Sequence, residues 1–250
     1  MQRISLVCQS KGKYNFNDGV YFHGWLMSQV SEEFADRMHQ TGVNPVTIAV
    51  YGKKEEIIFS VALLTDEAVA EVAGKLMDDA FTSFSLKSAE QSEFKILRKV
   101  KENLDSKDLA QVFYQQDQAE RLFQVNVMTP LAFKSNGTYY NLPDIRLFFQ
   151  SIMKKYNAIF ENTEHIDLDL LDEICSKVNL VNFRINSRRF YIHKAYINGF
   201  CGRLVFYCKG TETLANYVAM LLKFAEFSGV GVKTSLGMGA IAVNREENNG

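Results

Sequence analysis

The sequence predicts an α+β protein built from two tandem ferredoxin-like domains, each on the βαββαβ plan that RRM-like sheets share. Three observations predict it. Apolar residues switch repeatedly between a period of two and a period of about 3.6, the repeats of a strand and of a helix. Strand-like runs arrive in adjacent pairs, which a strictly alternating parallel α/β sheet excludes. The whole succession then occurs a second time within 250 residues, a length that suits two domains at roughly 100–200 residues each. The polar stretch 101–120 separates the copies, so residues 1–118 are expected to form an N-terminal domain and 119–250 a C-terminal one.

Each element has its own signal. Ile4, Leu6 and Cys8 alternate with more polar neighbours and open the first copy with a strand. Phe22, Leu26, Val30, Phe34 and Met38 recur every fourth residue, and one amphipathic helix is expected to carry all five. Residues 45–51 and 56–64 are β-rich runs around Gly52-Lys53-Lys54, a hairpin signal. Asp66 is placed to cap a helix that turns Val69, Val72, Ala73, Leu76 and Ala80 inward. Segments near 82–87 and 94–100 read as β and close the copy. In the second copy Phe123, Val125 and Val127 alternate with Gln124 and Asn126. Turn signals at Asn136-Gly137 and Pro143 precede a helix with Ile145, Phe148, Ile152, Tyr156 and Ile159 on one face. Val181, Phe183 and Ile185 form a strand, expected to turn at Asn186-Ser187 into the strand 190–193, and 204–208 is another. A helix carrying Leu214, Tyr217, Val218, Leu221 and Ala225 leads to a glycine-rich run and a last strand, 240–243.

Composition narrows the function classes. Apolar residues make up 47% and charged residues 23%, an ordinary globular balance with enough material for a core. No long apolar run follows a basic start, so neither a signal peptide nor a membrane span is expected, and the cytoplasm is the expected compartment. Cys8, Cys175, Cys201 and Cys208 are scattered, without a Cys-x-x-Cys pair or histidines at ligand spacing. Reduced thiols, no metal site and no cofactor are expected. The net charge is −1, yet it is segregated: residues 177–209 hold seven Lys or Arg and no acid, while 161–173 hold six acids and no base. Such segregation makes either a solvated basic face or a local positive field for a polyanion such as RNA.

The run 229–239 is the most specific feature. Gly229, Gly231, Gly237 and Gly239 bracket Lys233, Thr234 and Ser235. Glycine admits positive φ and close backbone approach, and a loop with open N–H groups beside a cation suits phosphates. The spacing matches neither the P-loop nor the dinucleotide fingerprint. The run therefore serves as a tight structural crossing or as a phosphate-binding loop. Arg184, Arg188, Arg189 and Lys194 form a basic hairpin whose cations would each add a salt-sensitive phosphate contact. Tyr191 and Tyr196 either stack on bases or pack the strands. No RRM stacking signature is present, so bases are not expected to spread over a sheet face.

Three segments resemble one family. The Lys-Thr-Ser-Leu-Gly-Met-Gly core of 229–239 is similar to the C-terminal glycine-rich signature of CRISPR-associated endoribonucleases of the Cas6 type, in the RAMP superfamily. Residues 123–133, with Thr129-Pro130 and Phe133 and then Leu142-Pro143, resemble the opening of that family's second domain. Residues 22–26, running through Met38-His39 to 44–48, resemble its first helix and following strand. The resemblance spans nearly the whole chain. It implies two ferredoxin-like domains and metal-independent cleavage of precursor CRISPR RNA at each repeat, leaving a 2′,3′-cyclic phosphate and a 5′-hydroxyl. Repeat RNA is the implied partner, other effector subunits are further candidates, no membrane is involved, and a monomer or homodimer is the implied assembly.

Metal-free cleavage needs a base for the 2′-hydroxyl, an acid for the leaving oxygen and positive charge on the phosphorane, and imidazole serves near neutral pH. His39 matches the family's catalytic histidine. The tyrosine some members carry on the first helix is replaced by Met27, and no lysine occurs within residues 40–45. Tyr21, His23 and Arg37 are the nearby alternatives, with Lys53 or Lys54 if the hairpin folds back. Two other functions stay open: a non-cleaving subunit that holds repeat RNA, and a ferredoxin-like enzyme or regulator using the loop for a small phosphorylated ligand.

Overall fold

A computed structural model describes residues 1–10, 14–39, 42–53, 55–87, 93–115 and 119–244, the side chains of residues 39 and 53 excepted. In the first half β1 (Gln2–Gln9) leads to helices α1 (Asp18–Met27) and α2 (Glu32–His39), then to β2 (Val46–Lys53) and β3 (Glu56–Leu63). Helix α3 (Asp66–Met77), a short β4 (Ser83–Ser85) and β5 (Glu93–Asn103) complete it. The sheet order is β2-β3-β1-β5 with β4 on its edge, every pairing antiparallel. In the second half β6 (Leu122–Leu131) is followed by a small hairpin of β7 (Phe133–Ser135) and β8 (Thr138–Tyr140). Helices α5 (Ile145–Phe160) and α6 (Leu168–Lys177), strands β9 (Val178–Ile192) and β10 (Ala195–Cys208), helix α7 (Glu212–Ser228) and β11 (Ile241–Asn244) come after it. Its sheet runs β11-β6-β10-β9. Both sheets thus place a first strand between a third and a last, the order of two ferredoxin-like units, as the strand pairs in the sequence imply.

In chain order α4 (Ser106–Phe113) joins the two halves, started by Asp105 and Asp108 in reciprocal capping contacts. It packs on α7, and its Leu109 is buried in the core of the second half. Residue 118, where the sequence reading divides the chain, lies outside the described residues.

Several expectations are corrected. The apolar stripe from Phe22 to Met38 is two helices rather than one, because Ser31 accepts from the Phe34 amide and starts α2 afresh. The cap of α3 is Thr65, whose hydroxyl oxygen accepts from Ala68 N, and Asp66 sits in the first turn. Gly52 and Lys53 pair with Ile57 and Glu56 inside the β2–β3 ladder rather than forming its turn. Asn186 and Ser187 pair with Cys201 and Phe200, so β9 runs straight through them. Its turn is His193-Lys194, with His193 at φ 54°. The acidic stretch conceals α6, capped by Asp167 through Leu170 N. Asn136-Gly137 does form a hairpin turn, with φ of 49° and 80°.

Candidate functional site

The glycine-rich run is a crossing first. It leaves α7 at Gly229 and is sewn to β6, with Val232 N donating to Ala132 O at 3.0 Å and Gly239 N to Pro130 O at 3.0 Å. Val230 N donates across the run to Gly239 O at 2.8 Å. A Cβ on Gly239, at φ 69°, would stand 1.9 Å from Val230 O, and one on Gly231, at φ 77°, 2.2 Å from Ala132 O. Only glycine fits such approaches. Most amides of the run are therefore spent inside the protein. Among the described residues, the amides of Lys233, Thr234 and Ser235, at the start of the single 3-10 turn Thr234–Leu236, have no protein acceptor. Lys233 is exposed, Ser235 half-buried and Thr234 buried. The structure shows the crossing: the glycines hold it, and one turn of it leaves three amides next to Lys233 without a protein acceptor among the described residues.

Helix α5 supports this turn from below. Ser151 Oγ accepts from Gly231 N at 2.8 Å. One turn on, the buried Lys155 donates from Nζ to Ser228 O at 3.1 Å, Gly229 O at 3.0 Å and Thr234 Oγ1 at 3.4 Å. Burial disfavours the ammonium and lowers its pKa to about 7. Sequence reading missed both residues, since each falls on a regular amphipathic helix. A lysine at position 155, one before Tyr156 of the apolar stripe, was the available signal.

The basic hairpin meets the run from the side. Phe190 of β9 and Ile197 of β10 form a small core with Val20 of α1, Ala132 and Met238, and Phe16 packs against it. Tyr191 N donates to Asn17 Oδ1 at 2.8 Å. Side chains on a strand alternate in direction, so Arg184 and Arg188 lie on the Phe190 face and Arg189 on the opposite one. The guanidinium of Arg189 sits 4.9 Å from the Tyr196 ring centroid, and Tyr196 pairs with Tyr191. Lys194 is exposed at the tip. The four cations thus divide between two faces and the turn.

The candidate catalytic residues are spread along α1 and α2. Tyr21 and His23 are both half-buried, and two positions on a helix are about 200° apart, so they leave α1 on different sides. Arg37 is engaged by Glu33 at 2.8 Å and by Glu67. His39 is the last residue of α2, and its side chain, like that of Lys53 and all of Lys54, lies outside the described residues. The chain just beyond His39 is fixed from the other half: Val43 N donates to Glu164 Oε1 at 2.9 Å, and Glu164 pairs with Lys154 at 2.7 Å. Lys154 and Lys155 are successive residues of α5. The segment after His39 and the glycine-rich run are therefore both tied to the same stretch of one helix, residues 151–155.

The family model for CRISPR-associated endoribonuclease Cas6 matches residues 125–241. A Cas6 endoribonuclease of Streptococcus thermophilus is 35% identical over 231 residues, covering 91% of this chain and 92% of its own. The chain belongs to the Cas6 family. A Cas6 endoribonuclease of Mycobacterium tuberculosis is 37% identical over 226 residues, which cover 90% of this chain and 71% of that one. The solved structure of a Cas6 product complex superposes with a TM-score of 0.77 at 22% identity, covering 98% of this chain and 100% of that one. The Cas6 fold accounts for the two matched sheets, and membership makes this chain an endoribonuclease. The glycine-rich run falls wholly within the segment that the Cas6 model matches.

Proposed function

We propose that this Cas6 protein binds CRISPR repeat RNA and cuts precursor CRISPR RNA once per repeat, without a metal, in the cytoplasm. Residues 1–118 supply the chemistry and 119–250 the grip. The reading is carried by one observation: α1, the face of β9 bearing Arg184 and Arg188, and the open amides at 233–235 meet around the Phe190 core. In this reading a phosphate accepts hydrogen bonds from those amides beside Lys233, and Arg184 and Arg188 track the strand. The 2′-oxygen loses its proton to a base and attacks phosphorus. The P–O5′ bond breaks, O5′ takes a proton, and the products are a 2′,3′-cyclic phosphate and a 5′-hydroxyl. His39 moves one of these protons, a role suited to imidazole near pH 7.

The test is cleavage of repeat RNA by the purified protein in EDTA, with the product ends mapped. Cutting with cyclic phosphate ends is expected, and a metal requirement would overturn the mechanism. His39→Ala should lower the rate by about 10²–10⁴, the usual worth of a positioned acid or base, with RNA affinity nearly unchanged. Rates that survive the substitution remove His39 from the mechanism. Tight binding without any cutting by the unsubstituted protein makes it a holding subunit instead, a reading favoured by the engagement of Arg37 with two carboxylates.

A further inference from the structure

Lys155 is a buried lysine that no step of the proposed chemistry uses, and it lies under the one turn of the glycine-rich run whose amides are open. We propose that Lys155 is a proton-linked positioning residue: phosphate binding at 233–235 draws a proton onto Lys155, and the resulting ammonium fixes the run in its binding shape. The inference rests on the reading of that turn as an RNA phosphate site.

An ammonium has three N–H donors, and the structure offers three acceptors, Ser228 O, Gly229 O and Thr234 Oγ1. A neutral amine has two, so loss of the proton leaves one acceptor unsatisfied. All three are uncharged, and no carboxylate is among the partners of Nζ. Asp18 is a buried acid on α1, which packs against the same turn, and three other acids on the surrounding elements are ion-paired. Glu164 pairs with Lys154 beside it, Glu226 with Lys223 on α7, and Asp172 of α6 with Arg146. Lys233 on the run is a further cation, while Tyr156 on α5 and Tyr51 on β2 are the nearest phenols on those elements. Strand β6, to which the run is sewn, has no charged residue. Burial then holds the free-state pKa down to about 7. An RNA phosphate on the Thr234 amide brings an anion to the same residue whose hydroxyl Lys155 contacts, and so favours the charged form.

The sign is set by this preference. A ligand that prefers the protonated protein binds best below the free-state pKa and weakens as pH rises through it. Affinity for a fluorescein-labelled RNA of one repeat from the source organism's array is measured by polarisation from pH 6.5 to 8.5 at fixed ionic strength. A His39→Ala background keeps the RNA intact. A fall of about five- to tenfold is expected, within the limit of tenfold per pH unit set by one proton. Lys155→Met should bind about that much more weakly at pH 6.5 and lose this share of the slope. Titration calorimetry at pH 7.5 in phosphate and in Tris should show proton uptake on binding, absent in Lys155→Met. If the methionine variant does not fold, Lys155→Arg decides, because its charge persists throughout and its complex takes up no proton. Tight binding with an unchanged slope in the variants, or without proton uptake, overturns the inference alone. No RNA binding at any pH overturns the functional reading with it.

Discussion

At the scale of single residues, two glycines show how backbone and not side chain decides this site. Gly239 sits at φ 69° with Val230 O where a Cβ would go. Gly24 lies within α1 with nothing within 4 Å of an added Cβ. Gly239→Ala should lose about 3 kcal/mol or more of stability, from left-handed strain plus a clash with backbone. Gly24→Ala should gain about 0.5–1 kcal/mol, since alanine is the better helix former. Urea unfolding of both variants checks the pair, and equal effects would contradict the geometry. The glycine pattern was legible because strain of this kind restricts residue type. Lys155 was missed, although its place beside the apolar stripe was a signal. A lysine inside an amphipathic helix reads as solvated, and only the three oxygens placed around it by α7 and the run give it a role.

Among elements, the break between α1 and α2 bears most directly on the proposed chemistry, because α2 ends at His39. Spacing of four residues on a 3.6-residue helix drifts by about 40° per step, so five apolar residues so spaced cannot share one face of a straight helix. The break restores the register: Phe22 and Leu26 are buried from α1, and Phe34 and Met38 from α2. Ser31 makes the restart possible. Its Oγ accepts from Phe34 N at 3.3 Å and donates to Glu71 Oε1 at 2.9 Å, which ties the cap to α3. Ser31→Ala should destabilise the protein by about 1 kcal/mol, seen as a melting temperature lower by about 2–4 °C for a chain of this length. An unchanged melting temperature would mean that the cap is dispensable. The hairpin turn was misread for a related reason. Asn186-Ser187 is polar enough for a turn but lies mid-strand, where β9 is exposed on both faces and tolerates polar residues. The real turn uses His193 at positive φ, for which the sequence offers none of the Asn-Gly or Asp-Gly signal that marked Asn136-Gly137.

For the whole molecule, the question is how two similar sheets are joined, and the sequence carried little of the answer because contacts between halves obey no period. Thr47 Oγ1 donates to Phe227 O at 2.6 Å in a buried position. Arg3 donates to Glu226 O at 3.1 Å, pairs with Glu102, and lies 4.5 Å from the Phe227 ring centroid. These bonds join the first sheet to the end of α7, where the glycine-rich run begins. On the other flank the bond from Val43 to Glu164 ties the segment after His39 to the second half. Glu164 is held below the usual carboxylate range mainly by Lys154, so it is charged across neutral pH and accepts from Val43 as an anion. If this bond sets the height of α2's end above the RNA, Glu164→Ala should slow cleavage by about fivefold, the loss of roughly 1 kcal/mol of hydrogen bonding. Affinity should be unchanged, because no open amide or hairpin cation is touched. Glu164→Gln retains an acceptor for Val43 N and loses only the partly exposed ion pair, worth little by itself, so its rate should stay near that of the unsubstituted protein. Single-turnover rates and binding constants for the two variants separate the cases. Equal slowing in both would assign the effect to charge, and no slowing in either would detach the second half from the placement of His39.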